Sequence, residues 1–130
     1  MDTKGIGELV EAKIIAKMLS LGHSVSIPFG NNQRYDIIID SFGKLEKCQC
    51  KSATIRNGCV CFATCSRSGG KNPRSYIGEA DYFIVYCIST DKYYKVPVVS
   101  VGKGTGYLRV GRPKRTEVGC NIRWAKEFEI

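Results

Sequence analysis

Asp36, Gln49 and Lys51 are the residues of this 130-residue sequence whose types and spacing can do chemistry together. A carboxylate, an amide oxygen and a primary ammonium suit the hydrolysis of a phosphodiester. That reaction needs a hard cation held by oxygens, a polarised water and positive charge beside the phosphate. Asp36 is a hard oxygen ligand for Mg2+ or Mn2+, and the Gln49 amide oxygen is a neutral one. Lys51 can polarise the attacking water or stabilise charge that builds on phosphorus. Polar residues in alternation also describe the solvated face of an ordinary sheet. The reading therefore depends on what brings the three together.

Residues 35–41 (YDIIIDS) are rich in β-branched residues and predict a strand. Phe42-Gly43 is a plausible two-residue hairpin tip, with residues 44–53 as the partner strand. A two-residue turn pairs Ser41 with Lys44, and counting back places Asp36 opposite Gln49. Opposed residues share a face with Cβ atoms about 5 Å apart. Alternation then puts Gln49 and Lys51 on one face and Cys48 and Cys50 on the other. A different loop length would shift this register.

Residues 5–21 predict a helix. Leu9, Ala12, Ala16 and Leu19 follow helical spacing, Ile6, Val10 and Ile14 widen the apolar face, and Gly22 supplies the stop. Glu8 flanks the Leu9/Ala12/Ala16 stripe and is the candidate fourth member, either as a ligand or as a helix-start acid. Glu11 is expected nearer solvent. Further strands are expected at 24–28, 58–65 after the Asn57-Gly58 turn, 82–88, 93–99 and 107–110. Residues 66–74 (SRSGGKNPR) are expected to form a basic loop. A helix followed by a meander of strands predicts an α/β (α+β) fold with a mixed sheet, in a single domain over 1–130.

Twenty Lys and Arg against twelve Asp and Glu give a formal charge of +8, which favours polyanions. With no signal-peptide pattern at the N-terminus and no apolar stretch near the roughly 20 residues that span a bilayer, a soluble, cytoplasmic protein with no membrane association is expected. The seven cysteines, at 48, 50, 59, 61, 65, 87 and 120, are odd in number. Cys48-x-Cys50 and Cys59-x-Cys61 lie in strand-like segments without zinc-ribbon spacing, so packing is the main expectation and structural zinc the alternative.

Taken in order, Glu8 in an N-terminal helix, RYDIIID (34–40), a short turn and CQCKSA (48–53) resemble the core motif of the PD-(D/E)XK nuclease superfamily. The Gln variant of the second acid, with DYFIVY (81–86) and YKVP (94–97), is most similar to the small endonucleases associated with group I introns. The similarity runs over roughly the first hundred residues. It implies a restriction-endonuclease-like core with the N-terminal helix packed on a mixed sheet. It also implies a Mg2+- (or Mn2+-) dependent DNA endonuclease with no other small-molecule cofactor. Asp36 would be the central metal ligand, Gln49 the replaced acid, Lys51 the catalytic lysine, Glu8 the helix carboxylate and the Cys50 carbonyl a further ligand. Gln49 carries no charge, so a chain that binds DNA without cutting it stays open. Archaeal Holliday junction resolvases are next in resemblance, through Lys4-Gly5 and Ser52, although they generally keep a true acid at the Gln49 position.

Phosphate contacts are expected from Arg34, Ser52, Arg67, Lys71, Arg74, Arg109 and the Arg112, Lys114 and Arg115 cluster. Cutting both strands of a duplex needs two active sites, so a homodimer or homotetramer is expected.

Overall fold

The computed structural model describes residues 2–66, 72–111 and 122–130. Helix α1 (Thr3–Ser20) opens the chain. Asp2 caps it by accepting from the Gly5 N–H at 2.8 Å, which satisfies one of the free donors of the first turn. Strands β1 (Ser24–Ser26), β2 (Ile37–Ser41), β3 (Lys44–Arg56), β4 (Cys59–Ala63), β5 (Cys65–Ser66) and β6 (Arg74–Ser75) follow. Then come β7 (Tyr82–Cys87), β8 (Lys92–Pro97) and β9 (Thr105–Arg109), with single 3₁₀ turns at Val98–Ser100 and Ala125–Glu127.

The long strand β3 organises the sheet. It pairs antiparallel with β2, parallel with β7 through Cys48–Ala53, and antiparallel with β4 through its last three residues. β1 extends the sheet beyond β2, β9 beyond β4, and β8 beyond β7, while β5 and β6 form a separate two-stranded pair. The result is one N-terminal helix on a mixed, mostly antiparallel sheet, the restriction-endonuclease-like α+β architecture.

The tips of the β2–β3 and β3–β4 hairpins follow from turn chemistry. Phe42 and Gly43 have φ of 52° and 94°, and Asn57 and Gly58 have 50° and 74°. Two consecutive positive φ values make the type I′ turns whose twist matches antiparallel strands. The first tip sets the register Ser41↔Lys44 and Ile37↔Cys48, as its two-residue length predicts.

The sheet buries apolar side chains on both faces. Beneath α1 lie Ile37, Ile39, Cys48, Ile84 and Tyr86, in contact with Val10, Ile14 and Met18. On the opposite face Val60, Phe62, Tyr76, Phe83, Val85, Tyr94, Val96 and Leu108 form the larger core.

The phase of α1 differs from expectation. Val10, Ile14 and Met18 face the sheet, whereas Leu9 and Leu19 are 41 % and 55 % exposed. The helix carries apolar residues nearly all round, so periodicity alone does not choose the buried side. Cys48, Cys59, Cys61 and Cys87 are buried, and Cys50 and Cys65 partly so. Among the described residues no three His, Cys, Asp or Glu side chains gather closely enough to hold a metal ion. Cys48 packs beneath α1 and Cys87 in the core on the opposite face.

Candidate active site

Asp36 stands immediately before β2, and the hairpin register brings it back to the middle of β3. Its N–H donates to the Cys48 carbonyl at 2.9 Å, and its Oδ2 accepts from the Cys50 N–H at 2.8 Å. The carboxylate thus lies across β3 between Cys48 and Lys51. Burial raises the Asp36 carboxyl above its ordinary value, against the lowering effects of the Cys50 N–H and of the Lys51 charge. The same surroundings push the Cys50 thiol up, through burial first and the Asp36 and Glu11 charges after it.

The second carboxylate at this point comes from α1, and it is Glu11. Glu11 and Asp36 line one cleft of about 380 Å³, together with Ile27, Pro28, Gly30, Asn31, Gln33 and Tyr35. Burial also raises the Glu11 carboxyl, followed by the repulsion of Asp36 and of Glu8. Glu8, one turn earlier, is exposed, and its charge acts on Glu11. With Val10 and Ile14 inward, Glu11 stands at the margin of the buried face, and Glu8 lies further from it. A larger cleft of about 600 Å³, lined by Ile55, Tyr94, Arg109, Trp124 and others, shares no residue with this one.

Gln49 and Lys51 are half-buried on β3, paired in register with Phe83 and Val85 of β7. The Lys51 ammonium donates to the Tyr76 hydroxyl at 3.2 Å. Lys51 acts electrostatically on Asp36 and lines, with Cys50 and Ser52, a separate cleft against α1. Two carboxylates drawn out of water against each other favour a divalent cation between them. Asp36 and Glu11, which line one cleft, are hard oxygen donors of the kind such an ion takes.

The comparisons with known proteins decide the family. A model of PD-(D/E)XK endonucleases matches residues 1–130. The chain belongs to the PD-(D/E)XK endonuclease family. The solved structure of a bacterial homing endonuclease, I-Ssp6803I, is similar in fold, with a TM-score of 0.76 at 22 % identity. The match covers 99 % of this chain and 89 % of that one. No curated protein is significantly similar to the chain. The protein is therefore a nuclease by family and restriction-endonuclease-like by fold, as the motif order implies.

The basic residues fall into different settings. Arg34 turns inward, its guanidinium donating to Ser66 Oγ and to the carbonyls of Arg74 (3.2 Å) and Ser75 (2.9 Å), with Glu79 as ion partner at 3.4 Å. Arg74 is exposed and pairs with Glu79 at 3.0 Å. Arg109 reaches the Asn57 carbonyl at 2.9 Å. Ser52 is exposed and lines a cleft with Thr3, Ile6 and Gly7 of α1. Arg67, Lys71, Arg112, Lys114 and Arg115 lie outside the described residues. No helix among the described residues is long and apolar enough to cross a membrane.

Proposed function

We propose that this endonuclease is a Mg2+- (or Mn2+-) dependent DNA hydrolase of the homing type, cutting duplex DNA at a site built from Asp36, Glu11, Gln49 and Lys51. The observation that carries the reading is the meeting of two carboxylates with raised pKa, from different elements, beside the β3 lysine. PD-(D/E)XK nucleases generally use divalent metal ions. Asp36, Glu11, the Gln49 amide and the Cys50 carbonyl would hold the ion, with Glu8 as a further charge near it. The bound ion would supply a water of lowered pKa and neutralise the scissile phosphate.

The chain's own groups do the rest. The Cys50 N–H fixes the Asp36 carboxylate, so its orientation does not depend on the ion. Lys51 places an ammonium where the attacking water and the phosphate meet, which favours the more negative transition state over the ground state. Gln49 supplies an oxygen without charge, so the site depends on Asp36 and Glu11 for its anionic character. A formal charge of +8 draws the DNA backbone toward the protein, with Arg74, Arg109 and the basic residues beyond them as phosphate contacts. Two such sites, in a homodimer or homotetramer, would cut both strands.

The test is cleavage of supercoiled plasmid, linear duplex and a four-way junction, with Mg2+ and with EDTA. Metal-dependent cutting of duplex is the expected result. Preference for the junction would move the assignment to a resolvase, and salt-sensitive binding without cutting would make the chain a non-catalytic DNA-binding module.

A further inference from the structure

We infer that Tyr76 is a positioning residue for Lys51, and that Arg34 locks Tyr76 in place from the segment that carries Asp36. The inference rests on the role given to Lys51 above.

A lysine reaches its target on four rotatable bonds and loses about 2 kcal/mol of rotamer freedom when fixed. An unheld ammonium would sweep over the cleft. Here its end is tied down. Lys51 Nζ donates to the Tyr76 hydroxyl at 3.2 Å and lies 4.7 Å from the centre of the same ring. An ammonium has three N–H donors, so one bond to Tyr76 leaves two for water and phosphate. The Lys51 charge acts on the Asp36 carboxyl, so the held ammonium lies within electrostatic reach of it.

The tyrosine is itself held. Its ring is 5 % exposed within the larger core and stands edge-on to Phe83, with centroids 5.7 Å apart at 89°. The Arg34 guanidinium lies over it, 4.2 Å from the ring centre. Arg34 is two residues from Asp36, and its remaining bonds run to Ser66, Arg74, Ser75 and Glu79. One side chain therefore joins the segment carrying Asp36 to the β5–β6 pair, next to Tyr76. Placement of the carboxylate and placement of the lysine share this anchor.

Tyr76→Phe keeps the ring and removes only the hydroxyl. Losing one hydrogen bond to a charged group predicts a kcat on plasmid DNA about tenfold lower, with KM and melting temperature unchanged. Lys51→Ala is assayed beside it. If Lys51→Ala is inactive while Tyr76→Phe turns over like wild type, Tyr76 has no such role and the reading of Lys51 survives. If Lys51→Ala cuts like wild type, both fall. A loss in Tyr76→Phe that only follows a lower melting temperature marks a structural residue and overturns the proposal. A measurement on the unmutated protein guards against misfolding. The Lys51 ε-methylene protons, beside the Tyr76 ring, are expected upfield of those of other lysines by NMR. Ordinary lysine shifts there would also overturn it.

Discussion

The two halves of the site are built in opposite ways. On one side Asp36 and Glu11 are like charges brought together in a partly desolvated cleft, each with its carboxyl raised by burial first. On the other side each cation is held by partners within the chain. Lys51 is bonded to Tyr76, and Arg34 to two backbone carbonyls, Ser66 and Glu79. The cationic half is tied down by neighbouring side chains, whereas the anionic half sets two carboxylates against each other. Functional sites commonly hold such strain, sustained by stability elsewhere. A second charge pair shows the contrast from outside the site. Glu46 is buried, meets Lys95 at 2.6 Å, and joins β3 to β8 with no role in the cleft.

Breaking the anionic half is expected to have the largest effect. Asp36→Ala should lower plasmid cleavage by about 10³-fold with the fold retained, read by gel and by circular dichroism. Glu11→Gln should cost about 10- to 100-fold, and Glu8→Gln less than about threefold. Equal losses at Glu8 and Glu11, measured side by side, would remove the distinction drawn from the helix phase.

Breaking a charge pair outside the cleft should cost stability instead. Lys95→Ala leaves Glu46 buried without a partner and should destabilise the protein by about 3 kcal/mol in denaturant unfolding. The cleavage rate of the folded fraction should stay the same.

The smallest effect sharpens the comparison through pH. Asp36 has a folded-state carboxyl value above its ordinary 3.8, so the folded chain holds that proton more tightly than the unfolded one. Without metal, its contribution to stability therefore falls as pH rises from about 3.8 through the raised value, and is level above it. Asp36→Asn should flatten that part of the profile and melt slightly higher than wild type at neutral pH. Added Mg2+ should raise the melting temperature of wild type and not that of Asp36→Asn.

What the sequence shows of this site follows the range of each interaction. The Asp36–Lys51 hairpin is legible because Phe42-Gly43 is a local signal that fixes register by its length. The later strands are legible as well, apart from the short β5–β6 pair and the 3₁₀ turn that ends β8 at Pro97. The helix phase is not, because Leu9, Ala12, Ala16 and Leu19 mark an apolar stripe as well as Val10, Ile14 and Met18 do. Glu11 was lost with the phase, and choosing the Val10/Ile14 side would have found it. Tyr76 and Glu79 carry no local mark. Their links to the site come from Lys51 and Arg34, 25 or more positions away in the chain.

The most direct test is cleavage of one supercoiled plasmid, across a range of Mg2+ concentrations, by wild type and by Lys51→Ala at equal DNA occupancy. The account predicts nicked and linear products from wild type, rising with Mg2+, and about a hundredth of that rate from Lys51→Ala. Matching rates from the two proteins would contradict it.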